Sequence, residues 1–234
     1  GVTNTDNSIT LGVGQSATCT ITNDDNKPSL TLNKVVVNDN DGSELESAWT
    51  ISAVGTVGSP TNLSGPGAVG VADVVSGNDF KADTYTLSES AGPSGYTQGQ
   101  WSCVKNGGQA VTGNTITIAL GDNATCTIIN NDVAPGLHLR KVVTNDNGGT
   151  QLATAWTLTA TGSGTTPTNL SGSTPVDSNS TFKAGTYTLG ESGPSGYTAS
   201  SWNCTGVTIE NNTVTLGVGE SATCTITNDD NKPS

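Results

Sequence analysis

The sequence predicts an all-β fold made of tandem antiparallel β-sandwiches. Segments of one domain recur along the chain: SLTLNKVVVNDNDG at 29–42 returns as GLHLRKVVTNDNGG at 136–149, and YTLSESAGPSGYT at 85–97 returns as YTLGESGPSGYT at 187–198. Apolar and polar residues alternate within these segments, which is typical of half-buried strands. Clusters of Gly, Pro, Asn and Asp, such as Ser-Gly-Pro-Gly at 64–67, separate the strand-like runs and predict tight turns.

The recurring segments divide the chain into three predicted domains. Residues 29–133 and residues 134–234 are predicted to be complete β-sandwich units of about 100 residues each, a usual domain size. We call them the first unit and the second unit. Residues 1–28 match only the last strands of a unit, since they return almost unchanged at 206–233. The front of that incomplete unit is expected to lie upstream, which would make this chain a segment of a longer protein.

Each complete unit carries polar residues on strand faces that are otherwise apolar. In the first unit, Lys34 shares its face with two leucines, Glu89 with Tyr and Leu, and Asn130 with Cys and Ile. Because alternation directs these residues inward, and buried charges are rare unless paired, we expect the three side chains to meet in the core. The equivalent residues of the second unit are Lys141, Glu191 and Asn228.

Composition and charge exclude several classes of function. The chain has 234 residues, 32% of them hydrophobic, and a formal net charge of −12, which would repel nucleic acid. No apolar stretch reaches the roughly 20 residues that cross a bilayer, so no membrane contact is predicted for this segment. The only histidine, His138, is predicted on the outward face of its strand. We therefore predict that the protein is not an enzyme and needs no cofactor.

The cysteines occupy equivalent places in the repeats. Each complete unit has one pair, widely spaced in sequence and without metal-binding spacing, which favours structural disulfides in an oxidising compartment over zinc or redox chemistry. Cys19 is expected to be unpaired, because the residue equivalent to Cys204 would precede Gly1. The predicted disulfides are Cys103 with Cys126 and Cys204 with Cys224.

The order of these motifs resembles a known family. L-x-L-x-K at the start of each unit is followed by W-x-[IL], then by Y-T-L-x-E-S with P-S-G-Y after it, and last by a strand that ends in I-x-N. This order is similar to the prealbumin-like, reverse Ig-like domains of bacterial surface proteins, the Cna-B or SpaA-type stalk and pilin modules. The resemblance covers both complete units and the tail of the incomplete one.

The resemblance implies a self-made isopeptide bond in each complete unit. A glutamate would polarise the Asn carboxamide while a lysine amine, its pKa lowered by burial, attacks and ammonia leaves. The same residues would otherwise form a buried salt bridge with Asn as a hydrogen-bond partner, or Lys34 would extend from the strand end to solvent. The implied bonds join Lys34 to Asn130 with Glu89 assisting, and Lys141 to Asn228 with Glu191 assisting.

The segment NDNDG at 38–42 has two interpretations. Its oxygen ligands at alternate positions resemble part of a calcium loop, with Asp39 and Asp41 as weak candidate metal ligands, but the downstream bidentate Glu is missing. Asp-Gly after a run of valines is also the commonest hairpin signal. We therefore predict a hairpin turn here and no metal site.

These observations favour a structural repeat module of a secreted bacterial stalk, adhesin or extracellular filament, located outside the cell or at its surface. The expected partners are neighbouring repeat domains of the same protein, with a homopolymer fibre as a further expectation. The links at 24–28 and 132–136 each contain a proline, which predicts stiff connections. The alternative is an adhesin domain that binds glycan or host protein through loops such as 56–72.

Overall fold

The regular structure of the chain is almost entirely β-sheet, so the predicted all-β sandwich class is confirmed. No helix among the described residues is long and apolar enough to cross a membrane. The computed structural model describes residues 3–5, 7–56, 61–68, 73–164 and 168–233.

The strands of the first unit follow one another closely, with one turn of 3-10 helix, Glu46–Ala48, after the first of them. They are β3 (Ser29–Val37), β4 (Thr50–Gly55), β5 (Leu63–Pro66), β6 (Val74–Val75), β7 (Asp83–Glu89), β8 (Tyr96–Gln98), β9 (Ser102–Lys105), β10 (Val111–Thr112), β11 (Thr115–Ile118) and β12 (Asn123–Asp132).

The strands of the second unit repeat this order, again with one 3-10 turn, Ala153–Ala155, after the first strand. They are β13 (Gly136–Thr144), β14 (Thr157–Ser163), β15 (Leu170–Gly172), β16 (Val176–Asp177), β17 (Gly185–Ser192), β18 (Tyr197–Ala199), β19 (Asn203–Thr205), β20 (Ile209–Glu210), β21 (Thr213–Leu216) and β22 (Ser221–Asp230).

Each unit is a sandwich of two sheets. In the first unit the strand orders are β10-β9-β12-β3-β6, with β8 also paired to β12, and β11-β7-β4-β5. In the second unit they are β16-β13-β22-β18, with β19 also paired to β22, and β15-β14-β17-β21-β20. Inward side chains from both sheets form one hydrophobic core per unit. Leu30 and Leu32, like Leu137 and Leu139, are fully buried, as the alternation predicts.

The first and last strands of each unit pair in parallel, whereas the other pairs among the described residues are antiparallel. Ser29 to Val37 of β3 align with Asn123 to Asn131 of β12. β13 aligns with β22 in the same way. An alternating sequence is compatible with either direction of pairing, so the pattern alone did not indicate this. As a consequence, the chain enters each unit at one end of the sheet and leaves it at the other.

The loop at residues 38–42 is not the hairpin predicted from its Asp-Gly pair, and that prediction is wrong. Because β3 and β4 lie in different sheets, the loop carries the chain from one layer to the other. The buried carboxylate of Asp132 holds it in place, accepting N–H bonds from Asn40 at 2.9 Å and Gly42 at 2.8 Å. The end of the last strand therefore fixes the loop that follows the first strand.

The Ser-Gly-Pro-Gly run at 64–67 was a predicted turn, but most of it forms the edge strand β5. β5 pairs with β4 and places Pro66 opposite Thr50. Proline has no N–H to donate to a neighbouring strand. On an edge strand this is tolerated, because the proline nitrogen can face solvent instead of the neighbouring strand. The prediction was wrong because Gly and Pro occur both in turns and on sheet edges.

Among the described residues between 3 and 28, the only strands are a short pair, β1 (Thr3–Thr5) and β2 (Ser8–Thr10). Residues 16–25 have the same sequence as residues 221–230, which form β22, but they form no strand here. β22 lies between β13 and the strands β18 and β19, whereas residues 16–25 have no strand neighbour in the described part of the chain. A strand needs partners for its backbone groups, so identical sequences differ in structure.

The two complete units contact each other through the loop at 38–42. Asn40 is only 4% exposed, and its side-chain amide donates to the main-chain oxygens of Ser180 at 3.1 Å and Phe182 at 2.9 Å. The main-chain oxygen of Asn40 accepts a hydrogen bond of 2.8 Å from the N–H of Ala184. The two units are therefore joined by directional hydrogen bonds as well as by the peptide segment that connects them.

Each complete unit holds one disulfide between neighbouring antiparallel strands, and both are the predicted pairs. Cys103–Cys126 joins β9 to β12, and Cys204–Cys224 joins β19 to β22. In both pairs the two cysteines stand directly opposite each other in the strand register. Cys19 is free and exposed.

Replacing Cys103 and Cys126 together by Ala is expected to lower the free energy of unfolding of the first unit by about 2 to 4 kcal/mol, since the open chain gains entropy when unfolded. Denaturant unfolding of the full chain measures this as an earlier transition of that unit. Cys19→Ser is the matched control and should leave both transitions in place. An unchanged first transition in the double variant would contradict a stabilising role for the disulfide.

Candidate crosslink sites

Lys34 and Asn130 lie on adjacent strands and face the same side. The parallel register sets Lys34 opposite Ile128 and Asn130 opposite Val36, two positions further along. Residues two apart on a strand share a face, so both side chains enter the sandwich together. Lys34 is 3% exposed and Asn130 is 2% exposed. The pairing of first and last strands thus places an amine and a carboxamide side by side in the core.

Glu89 reaches the same place from the opposite sheet, where it ends β7. Its Oε1 lies 3.1 Å from Lys34 Nζ, and its Oε2 accepts a hydrogen bond of 3.0 Å from Asn130 Nδ2. The side chains of Lys34 and Glu89 are 0% and 1% exposed. One buried carboxylate therefore contacts both the amine and the carboxamide.

The second unit repeats this arrangement with its own residues. Lys141 Nζ lies 2.6 Å from Glu191 Oε2. Asn228 stands opposite Val143, again two positions beyond the lysine, and is 3% exposed. In both units the lysine contacts the predicted glutamate and shares its face with the predicted asparagine, and in the first unit the glutamate contacts the asparagine as well.

A tryptophan covers each lysine amine. Lys34 Nζ lies 4.8 Å from the centre of the Trp49 ring, and Lys141 Nζ lies 4.9 Å from that of Trp156. Gly92, with a φ of +64°, packs so closely that a Cβ there would lie 1.9 Å from Trp49 Nε1. Only glycine allows this approach, which holds the indole over the amine and keeps water out.

Burial lowers the pKa of Lys34 and of Lys141 below the usual 10.5 of a lysine, and the adjacent glutamates oppose this shift only in part. A lower pKa increases the fraction of neutral amine at a given pH. The neutral amine has a free lone pair and is the nucleophilic form.

The carboxamide oxygens of Asn130 and Asn228 are buried and accept no hydrogen bond. An unsatisfied buried acceptor costs about 1 to 3 kcal/mol. A proton donor placed at this oxygen would satisfy it and make the carbonyl carbon more electrophilic. The site is therefore arranged for attack on the carboxamide.

Several residues have roles that the sequence analysis missed. The motif W-x-[IL] placed Trp49 and Trp156 at equivalent positions in the two units but did not indicate that they cover the lysine amines. The roles of Asn40 and Asp132 were also missed, and their recurrence in the second unit, as Asn147 and Asp230, was the available signal.

The weak metal candidates Asp39 and Asp41 do not belong to a group of three or more potential metal ligands among the described residues, although Asp39 contacts the carboxylate of Asp132. Asp41 Oδ1 instead lies 3.4 Å from Lys183 Nζ. The described carboxylates that do come together, with oxygens within 4.8 Å of one another, are Asp146, Asp229 and Asp230.

Comparison with known proteins identifies the family. A family model described as a prealbumin-like fold domain matches residues 25–128 and, a second time, residues 132–226. The chain belongs to this SpaA-type prealbumin-like family. The resemblance stated from the sequence motifs is thereby confirmed. No curated protein sequence matches the chain.

Solved structures similar to this SpaA-type chain come from several bacteria. The Bacillus anthracis TIE protein is 17% identical with a TM-score of 0.47, over 86% of this chain, which spans about a third (34%) of that protein. A C-terminal fragment of the pilus adhesin SpaC from Lactobacillus rhamnosus GG is 15% identical with a TM-score of 0.41, covering 88% of this chain and 99% of the fragment. The major pilin T-13 from Streptococcus pyogenes is 12% identical with a TM-score of 0.37, covering 87% and 96%.

The lowered lysine pKa values predict a pH dependence of stability when the amines are kept free. In the double variant Asn130→Ala/Asn228→Ala, the unfolded chain binds more protons than the folded chain at pH values just below 10.5. The free energy of unfolding is therefore expected to rise with pH over a window that ends near pH 10. Denaturant unfolding at a series of pH values measures the slope.

Adding Lys34→Met and Lys141→Met to this variant is the control and should flatten the slope. Burial raises the pKa of Tyr85 and Tyr187, so these groups reduce stability only as the pH approaches and passes their usual 10.0. A free energy that falls across the window would contradict the lowered lysine pKa values.

Proposed function

We propose that the chain is a structural repeat module of an extracellular bacterial stalk, adhesin or filament, strengthened by an internal isopeptide bond in each complete unit. The parallel pairing of first and last strands carries this proposal, because it takes the chain in at one end of the sheet and out at the other. Such units follow one another end to end. Residues 29–133 and 134–234 are proposed as these units, and residues 1–28 as the closing strands of another.

The same pairing supports a mechanical role. Tension on the chain pulls the first strand and its neighbour, the last strand, from opposite ends, so the load crosses the ladder between them. Lys34 and Asn130 stand on either side of this ladder. A covalent bond between their side chains would carry the load directly, without relying on hydrogen bonds.

The proposed reaction joins Lys34 Nζ to Asn130 Cγ. The neutral amine attacks Cγ, the bond from Cγ to Nδ2 breaks, and ammonia leaves, so that one amide replaces another. Glu89 contacts both nitrogens and carries a proton from the attacking amine to the departing one. The reaction needs no oxidant or cofactor. In the second unit the same roles fall to Lys141, Asn228 and Glu191.

The disulfides support a location outside the cytoplasm, since such bonds persist in oxidising compartments. The adhesin alternative, binding through loops such as 56–72, has no comparable support. Residues 57–60 and 69–72 lie outside the described residues, and part of the segment between them is the edge strand β5. We propose no enzymatic activity on other molecules.

Intact mass spectrometry of the non-reduced chain is expected to show the loss of one ammonia per complete unit, in addition to the hydrogens lost in the disulfides. Tandem spectra should assign the bonds to Lys34 with Asn130 and to Lys141 with Asn228. Glu89→Ala should abolish the first bond and leave the second, because each glutamate serves its own unit.

Glu191→Ala is the reciprocal variant, and Glu210→Ala, at an exposed position, is the matched control that should keep both bonds. Unmodified peptides containing Lys34 and Asn130 as the main wild-type species would show that the buried salt bridge is the correct interpretation.

Single-molecule stretching tests the mechanical role. With disulfides reduced, the crosslinked first unit should not extend, because the bond carries the load past residues 35–129. In Glu89→Ala that unit should unfold and release roughly 300 Å of chain. The second unit, unchanged in this variant, provides the internal control. Unfolding of the wild-type first unit to its full length would contradict a load-bearing crosslink.

A further inference from the structure

The contact between the complete units has two parts, and both recur elsewhere in the chain. The loop that inserts, residues 38–42, recurs in sequence at 145–149, and the loop that receives it, residues 180–184, recurs at 78–82. We call them inserting loops and receiving loops. Within the described residues, only the pair 38–42 and 180–184 meets. The chain therefore presents one further loop of each kind.

The inserting loop at 145–149 is built in the same way as the loop that docks. Asp230 accepts N–H bonds from Asn147 at 3.0 Å and Gly149 at 2.6 Å, as Asp132 does in the first unit. These main-chain bonds fix the loop without any contribution from a neighbouring unit. The framework for docking is thus already formed.

Asn147 differs from Asn40 in its hydrogen-bond partners. The amide of Asn40 donates to the next unit, and its main-chain oxygen accepts from Ala184. The amide of Asn147 instead folds back and donates to the main-chain oxygen of Asp230 at 3.0 Å and to the carboxylate of Asp146. Asn40 is buried and Asn147 is partly exposed. Asn40 therefore represents this asparagine with a neighbouring unit docked, and Asn147 represents it without one.

The link that precedes the first unit is held in the same way as the link between the two complete units. Gly121 N–H donates to the main-chain oxygen of Asn26 at 2.8 Å, and Gly219 N–H donates to that of Val133 at 2.7 Å. Asn26 and Val133 occupy equivalent positions in the two links. Each unit therefore holds its upstream link by the same contact, and this contact sets the path of the chain towards the receiving loop.

We propose that the loop at 145–149 is a docking site for the receiving loop of a further copy of this repeat, with Asn147 as the inserting residue. The partner's main-chain oxygens, equivalent to those of Ser180 and Phe182, accept the Asn147 amide. The partner's N–H, equivalent to that of Ala184, donates to the Asn147 main-chain oxygen. This inference deepens the proposed function and rests on it for the serial arrangement of repeats.

The chemistry of the contact favours a repeat of this kind as the occupant. Residues 225–234 are identical to residues 20–29, and the latter lead directly into the first unit. Inserting and receiving loops are different surfaces, so their contact is heterologous and extends into an open series. The receiving loop is recognised through its main chain, which permits side-chain differences such as Asn78 against Ser180.

The two junctions differ in charge. Gly148 of the second unit stands where the first unit has Asp41, whose carboxylate pairs with Lys183. That ion pair is solvent-exposed and of the kind that contributes little. The absence of this ion pair at 145–149 should therefore weaken docking only slightly.

The test uses the full chain extended after Ser234 by a second copy of residues 30–133, labelled with 15N-alanine. Hydrogen exchange of the Ala82 amide is compared between the original and the appended copy. The appended amide is expected to exchange about tenfold more slowly, because it donates to Asn147. Asn147→Ala should remove this difference, since it removes the side-chain amide that anchors the loop.

Asn40→Ala is the matched control in the unextended chain, where it should speed exchange at Ala184 alone. Equal exchange of the two Ala82 amides, or protection that survives Asn147→Ala, would overturn the proposal. The mass of the same extended chain separates this result from the proposed function. Ammonia loss without protection of the amide would support the proposed crosslinked spacer and contradict the docking site. Protection of the amide without ammonia loss would support the docking site and contradict the crosslink.

Discussion

The parallel ladder between the first and last strands is the interaction on which the rest of each unit depends. It aligns residues 29–37 with residues 123–131, so the chain crosses the sheet in the same direction at its beginning and at its end. The chain therefore leaves at the far end, next to the following unit. The same register sets Lys34 beside Asn130 in the core. The serial arrangement and the crosslink that we propose would thus have one structural cause.

The environment of the three polar residues explains how an unreactive amine and amide can be made reactive. Removing Lys34 from water lowers its pKa, and the Trp49 ring keeps water out of the site. Glu89 lowers the free-energy cost of burying the lysine charge, because it pairs with Lys34, and it also contacts the Asn130 carboxamide. Forming the proposed amide would remove the lysine charge from the core, whereas the carboxyl group of Glu89 would remain there.

The disulfide and the proposed isopeptide bond stabilise different parts of each unit. Cys103–Cys126 joins the last strand to β9, which lies on the opposite side of β12 from β3. It does not connect the first strand to the last, so it cannot carry tension across the ladder between them. The docking loops act at a third place, between units, where Asn40 binds main-chain groups of the following repeat. In the function that we propose, stability against unfolding, resistance to tension and order along the chain would thus depend on separate contacts.

The sequence by itself determined the β-sandwich class, the repeated units, the disulfide pairs and the identity of the three inward polar residues. These depend on local alternation and on recurrence, which are properties of the chain alone. Only the tertiary structure decided that the first and last strands run parallel, because the same alternation fits either direction. It also decided that residues 38–42 dock a neighbouring unit, that residues 64–66 form an edge strand, and that residues 16–25 form no strand although β22 has their sequence. Each of these depends on which distant backbone groups are available as partners, and a local pattern does not contain that information.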